Sequence, residues 1–128
     1  MELEAQRWLN RAEQDIRAVS TMNPADTPDV CASLMQQAIE KMLKACWVQL
    51  QLEPPRTHEL DRLWFGIEQR IAKPPETDDF EDIFLEIMPY AIGARYIEIE
   101  TTERQARDAV QLALRVCQYL KTWLEART

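Results

Sequence analysis

The residues best equipped for chemistry are few. His58 is the only histidine in the chain. Histidine is the side chain that most readily moves a proton near neutral pH. Arg56 stands two positions before it, Lys44 lies upstream on a helical stretch, and Arg95–Tyr96 follow much later. Arginine and lysine attract phosphates and carboxylates. Lys44, Arg56, His58, Arg95 and Tyr96 therefore form the candidate ligand- or partner-binding group. They are basic in a chain of net charge −7, so together they would make a local site for a phosphate or an acidic partner surface. The competing reading is ordinary capping and loop packing, with His58 only an early helix residue.

A second polar set lies on the stretch "LMQQAIEKMLKACWVQL", Leu34–Leu50. Its apolar residues recur at helical spacing, while Gln36, Gln37, Glu40, Lys41 and Lys44 line the other side. Gln37, Glu40 and Lys41 read as structural, with Lys41 paired to Asp15 on the preceding helix. In an antiparallel pair of helices both residues fall near mid-height. Glu40 and Lys44 form an i, i+4 pair in the favourable order. His58 is expected at the lower end of the bundle, too far down for Lys41 and within reach of Lys44.

Other chemistries find little support. Gly66 and Gly93 are the only glycines, too few for a glycine-rich phosphate loop. One histidine, no HExxH and no CxxC leave no expected metal site, and no cofactor is expected. The acidic run Glu76, Asp78, Asp79, Glu81, Asp82, Glu86 reads as a solvated helix start. Net negative charge argues against a general affinity for DNA or other nucleic acid. Cys31, Cys46 and Cys117 fall on apolar helix faces, as reduced thiols of a cytoplasmic protein do. No stretch has the length and apolarity of a membrane span, and the first residues lack an apolar signal core.

The elements that position these residues are helices, and 128 residues suit a single domain over 1–128. Residues 3–22 and 28–52 carry the first two, the second ended by "EPP". Thr57 is the expected N-cap of a third, with Leu60, Leu63, Trp64, Ile67 and Ile71 inward. A fourth covers about 78–92, with Pro89 kinking or ending it. Ile97 and Ile99 alternate as in a short extended piece. Thr102 with Gln105 reads as a capping box for the last helix. Trp8 and Trp64 face inward, whereas Trp47 and Trp123 lie at stripe edges and suggest a subunit contact. The expected fold is all-α, an up-and-down bundle of four to five helices.

Four blocks, in order, resemble the HEPN domain family: Trp8, Leu9, Ala12, Asp15 and Ile16; "QQAIEKMLKA" from Gln36 to Ala45; "PRTHELDRL" from Pro55 to Leu63; and Ala94–Tyr96. The resemblance spans almost the whole chain. It implies a small helical bundle, usually a homodimer, often paired with a minimal nucleotidyltransferase in toxin–antitoxin or regulatory systems. Some members bind nucleotides, and a large branch are metal-independent ribonucleases carrying Arg-x(4–6)-His. Here His58 would need an arginine at 51–53, which are Gln51, Leu52 and Glu53, and no histidine follows Arg95. The implied reading is a non-catalytic HEPN protein serving as a nucleotidyltransferase partner. The alternatives are a nucleotide- or RNA-binding module and a degenerate ribonuclease relying on His58.

Overall fold

A computed structural model describes residues 1–93 and 96–127, with the side chains of 92 and 93 left aside. Arg95 lies outside the described residues. The elements are α1 (Leu3–Ser20), α2 (Pro28–Gln49), α3 (Leu60–Glu68), a 3-10 turn (Pro75–Thr77), α4 (Phe80–Ile87), the single turn α5 (Tyr90–Gly93) and α6 (Glu103–Glu125). The described residues contain no strand, and none of their helices is long and apolar enough to cross a membrane. The fold is all-α.

The bundle is organised around α2, against which α1, α3, α5 and α6 all pack. Its buried residues run almost around the helix: Cys31, Ala32, Ser33, Met35, Gln36, Ala38, Ile39, Met42, Leu43, Ala45 and Cys46. A helix apolar on most sides is a core helix, and the alanines among these residues keep neighbours close. Hydrogen bonds report the direction of each neighbour. Glu2 N donates to Gln49 Oε1 at 2.8 Å, so α1 is antiparallel to α2. Thr101 N donates to Asp29 Oδ1 at 2.8 Å, and Gln49 Nε2 to the Arg127 carbonyl at 3.5 Å. Start meets start and end meets end, so α6 runs with α2. The Thr102–Gln105 capping box is present in both directions, satisfying donors at the start of α6.

The short helices close the core through aromatic contacts. Trp64 of α3 lies 5.3 Å from Phe80 of α4, centroid to centroid, and Phe80 lies 5.4 Å from Tyr119 of α6. Tilted and edge-on rings at these separations attract beyond simple burial. Cys31, Cys46 and Cys117 are buried free thiols. Burial pushes Cys117 up to about 12 and raises Cys46 further, so both stay protonated near neutral pH.

Several local features depart from the sequence reading. Helix α2 stops at Gln49, before "EPP". Gln51 takes a left-handed conformation with φ 65°, and Leu52 N and Gln51 N bond back to the Trp47 and Val48 carbonyls at 3.0 and 2.9 Å. This hydrogen-bonded reversal satisfies the last carbonyls before proline can act. Thr57 does not cap α3, whose N-cap is Glu59. Its hydroxyl instead accepts from Glu59 N at 3.2 Å, closing a turn just outside the helix. Ile97 and Ile99 sit in a turn region rather than an extended piece.

The tryptophans at the stripe edges are also explained within the chain. Trp47 Nε1 donates to the Leu63 carbonyl at 2.9 Å. Trp123 is 8% exposed, and the Arg127 guanidinium lies 3.8 Å from its ring centre. Trp47 is half-buried against α3, and Trp123 is buried beside Arg127 just past α6. The six-membered ring of Trp47 packs directly on Gly66, where an added Cβ would stand 2.1 Å from Cζ2. Gly66→Ala should lower stability by about 1–3 kcal/mol, despite alanine's better helix propensity. Urea unfolding checks this: a lower midpoint with an unchanged slope is expected, and a raised midpoint would show that the ring yields.

Candidate functional site

The polar groups of α2 leave the core along one stripe, and each meets a partner. On the α1 side, Lys41 Nζ lies 2.6 Å from Asp15 Oδ2, with side chains 25% and 14% exposed. The antiparallel pairing of α1 and α2 brings these residues level. On the other side stands Glu40, 12% exposed, with Lys44 Nζ at 3.0 Å one helical turn on. His58 Nδ1 lies 3.0 Å from both Glu40 oxygens. Lys44 is also only 12% exposed, and its ammonium sits 5.5 Å from the ring centre of Trp8. Trp8, Lys44, Glu40 and His58 thus form one chain of contacts from α1 across α2 to the loop before α3.

Gln36 completes the attachment of that loop. It is almost fully buried, and its Nε2 donates to the His58 carbonyl at 3.3 Å. Gln37 points outward and bonds to Ser33 Oγ at 3.2 Å.

His58 is not where the sequence placed it. Residues 50–59 leave the end of α2 and turn back along it, so His58 lies beside Gln36 and Glu40 rather than at the lower end. From Gln49 back to Glu40 is about 14 Å of helix at 1.5 Å per residue. An extended, proline-containing segment at ~3.3 Å per residue covers that distance easily. Helix α3 then descends beside the second half of α2, as the Trp47 contacts with Leu63 and Gly66 show.

The five candidate residues consequently divide. Lys44 and His58 meet through Glu40, a residue that the sequence assigned to the scaffold. Arg56 is exposed and has no ion-pair partner among the described residues. Tyr96 is 56% exposed, and its carbonyl accepts from Ile99 N. No hydrogen bond or ion pair among the described residues joins Arg56 or Tyr96 to His58.

The arrangement constrains the imidazole chemically. A carboxylate only accepts hydrogen bonds, so Nδ1 carries the proton and Nε2 is the remaining site for proton exchange. The ring is 76% exposed. The Lys44 ammonium, which could have held an anion, is already engaged by Glu40 and Trp8.

Elsewhere, Asp79 pairs with Arg115 at 2.5 Å, and that hydrogen bond holds its carboxyl below the usual range. No group of potential metal ligands gathers among the described residues. The sequence reading missed a cleft of about 270 Å³ lined by Glu4, Arg7, Trp8 and Arg11. The i, i+3, i+4, i+7 spacing of those residues was the available signal, masked by assigning Trp8 wholly to the inner face.

The family model for the HEPN domain matches residues 5–123. Two solved structures share the fold. TT1696 from Thermus thermophilus superposes with a TM-score of 0.78 at 20% identity, covering 94% of this chain and 98% of that one. ST0689, an archaeal HEPN homologue, superposes with a TM-score of 0.71 at 20% identity, covering 94% and 97%. No curated protein matches the sequence.

The two ion-pair systems should respond differently to substitution. Asp15→Ala and Lys41→Ala should each lower stability by about 1–2 kcal/mol, with a favourable coupling in the double-mutant cycle. Glu40→Ala should cost more, about 2–3 kcal/mol, because it strands the mostly buried Lys44 ammonium. His58→Ala should leave the unfolding midpoint near that of the native chain. Chemical denaturation of the single and double variants measures all four.

Proposed function

The chain belongs to the HEPN domain family, and from that premise we propose that it works by binding and not by cutting RNA. It acts as a non-catalytic, dimeric HEPN protein of the cytoplasm, partnering a minimal nucleotidyltransferase in a toxin–antitoxin-like or regulatory pair. The observation that carries the reading is the Glu40 carboxylate against His58 Nδ1. The ribonuclease branch of the family needs an arginine with its histidine, to hold the phosphate whose charge grows during cleavage. A carboxylate beside the imidazole opposes an approaching phosphate. The positions where that arginine would stand have other work: Gln51 and Leu52 close the end of α2.

Single-stranded RNA incubated with the purified chain should remain intact, and His58→Ala should change nothing. Cleavage that disappears in that variant would overturn the non-catalytic reading. Separately, light scattering at micromolar concentration should give the mass of a dimer. Affinity purification from the native host should recover a small nucleotidyltransferase in stoichiometric amount. A monomeric mass or recovery of the chain alone would remove the corresponding part of the proposal.

A further inference from the structure

The connection between α3 and α4 is pinned to α6 by one side chain. Arg115 Nη1 donates to the Glu76 carbonyl at 3.3 Å, and its Nη2 donates to Asp79 Oδ2 at 2.5 Å. The same guanidinium lies 5.9 Å from the ring centre of Phe80. Between the 3-10 turn and the second half of α6 this leaves a pocket of about 400 Å³, whose walls include Glu76, Arg115, Tyr119, Thr122 and Trp123. That volume lies within the range small ligands occupy. The inner wall is held in place by the core: Trp123 is buried, and Tyr119 is half-buried with its ring edge-on to Phe80.

The charged groups around the pocket differ in what they have left to offer. Arg115 is already committed to two acceptors and a ring. Arg127 donates to the Trp123 carbonyl at 2.7 Å and covers the Trp123 ring. Gln118 Nε2 donates to Thr122 Oγ1 at 3.2 Å, so these two supply surface and not free donors. Glu76 is exposed, and no ion pair among the described residues engages its carboxylate. That carboxylate acts on the neighbouring phenol. Burial and then the Glu76 charge raise the Tyr119 hydroxyl above its ordinary range, and Arg127, which lowers it, counts for less. The pocket thus combines an uncompensated carboxylate with two aromatic rings. Carboxylates hold ammonium groups by charge-assisted hydrogen bonds, and ring faces attract cations as well.

We propose that this pocket binds a small organic ammonium ion with an apolar or aromatic body, its N–H groups on the Glu76 carboxylate and its carbon part against Tyr119 and Trp123. Other ligand classes fit less well. An anion meets the Glu76 charge with no free cation to offset it. A neutral molecule covers the carboxylate without pairing it, which costs free energy. A bare metal ion finds one carboxylate here and no gathered ligand set among the described residues. The acidic run is therefore not uniform. Glu76 faces an aromatic pocket across from α6, whereas Asp78, Glu81, Asp82 and Glu86 are exposed on the approach to α4 and on α4 itself. The pocket shares no residue with the Glu40–His58 pair, so it is independent of whether the chain cleaves RNA or partners a transferase.

Calorimetric titration of the full chain with benzylamine, at neutral pH and physiological salt, tests the site. Benzyl alcohol and phenylacetate serve as the neutral and anionic counterparts. Benzylamine should bind saturably with a Kd of about 1 mM or tighter, and the other two should not. Glu76→Gln, which keeps the shape and removes the charge, should weaken binding by about tenfold or more. Glu81→Gln removes the same charge from the acidic run away from the pocket and should leave binding within about twofold. Thr122→Trp, at an exposed position on the pocket wall, should block binding by filling the space. Circular dichroism and the unfolding midpoint confirm that each variant folds, and Glu76→Gln decides the matter if Thr122→Trp does not. The proposal is overturned if benzylamine fails to saturate at about ten times that concentration. It is equally overturned if phenylacetate or benzyl alcohol binds as tightly, or if Glu76→Gln binds undiminished. Equal weakening by Glu76→Gln and Glu81→Gln would also overturn it, assigning the attraction to the diffuse charge of the run.

Discussion

Burial of α2 on nearly every side is the constraint from which the rest follows. A helix surrounded by four others must be apolar around most of its circumference, and small residues such as Ala32, Ala38 and Ala45 let neighbours approach. Its polar side chains can then leave only along a narrow stripe, where desolvation makes an unpaired group expensive. Each one accordingly meets a partner on a neighbouring element or its own. Lys41 takes Asp15 from α1, Glu40 takes Lys44 and His58, and Gln36 takes the His58 carbonyl. The stripe is a seam that ties α1 and the loop before α3 to the central helix.

That seam also sets the surroundings of the one histidine. An imidazole oriented by a carboxylate resembles half of a proton-transfer site. Its surroundings supply negative charge where phosphate chemistry needs positive charge. The same carboxylate neutralises Lys44, the cation otherwise best placed to help. The HEPN fold is built around α2, and its one histidine faces solvent beside an internal ion-pair system.

Charge is distributed unevenly over the remainder. The approach to α4 and α4 itself carry the acidic run, in which Asp79 is the one residue drawn into an ion pair among the described residues, by Arg115. The outer face of α1 carries Arg7 and Arg11, which have no ion-pair partner among the described residues, beside the Trp8 indole against which Lys44 rests. Lys44 therefore acts on both sides of the seam. It balances Glu40 beneath and steadies Trp8 at the edge of the α1 cleft.

Helical periodicity was enough to mark the long helices and most of their inner faces, because one buried stripe leaves a repeat of 3.6 residues in the sequence. The capping box at Thr102 and Gln105 was legible for the same reason: both partners are local. So was the level of Asp15 and Lys41, since two long antiparallel helices joined by a short loop leave little choice of register. What periodicity cannot carry is the identity of the partner that buries a face. It marked Trp47 and Trp123 as edge residues but not that Gly66 and Arg127 would receive them. It could not give the course of residues 50–59 either, since a segment longer than the distance it spans can end at many heights along α2. Only the tertiary structure decided that it turns back, bringing His58 to Glu40 and not to the end of the bundle. The candidate site was therefore legible in its residue types and not in its grouping, because the grouping rests on contacts between residues distant in sequence.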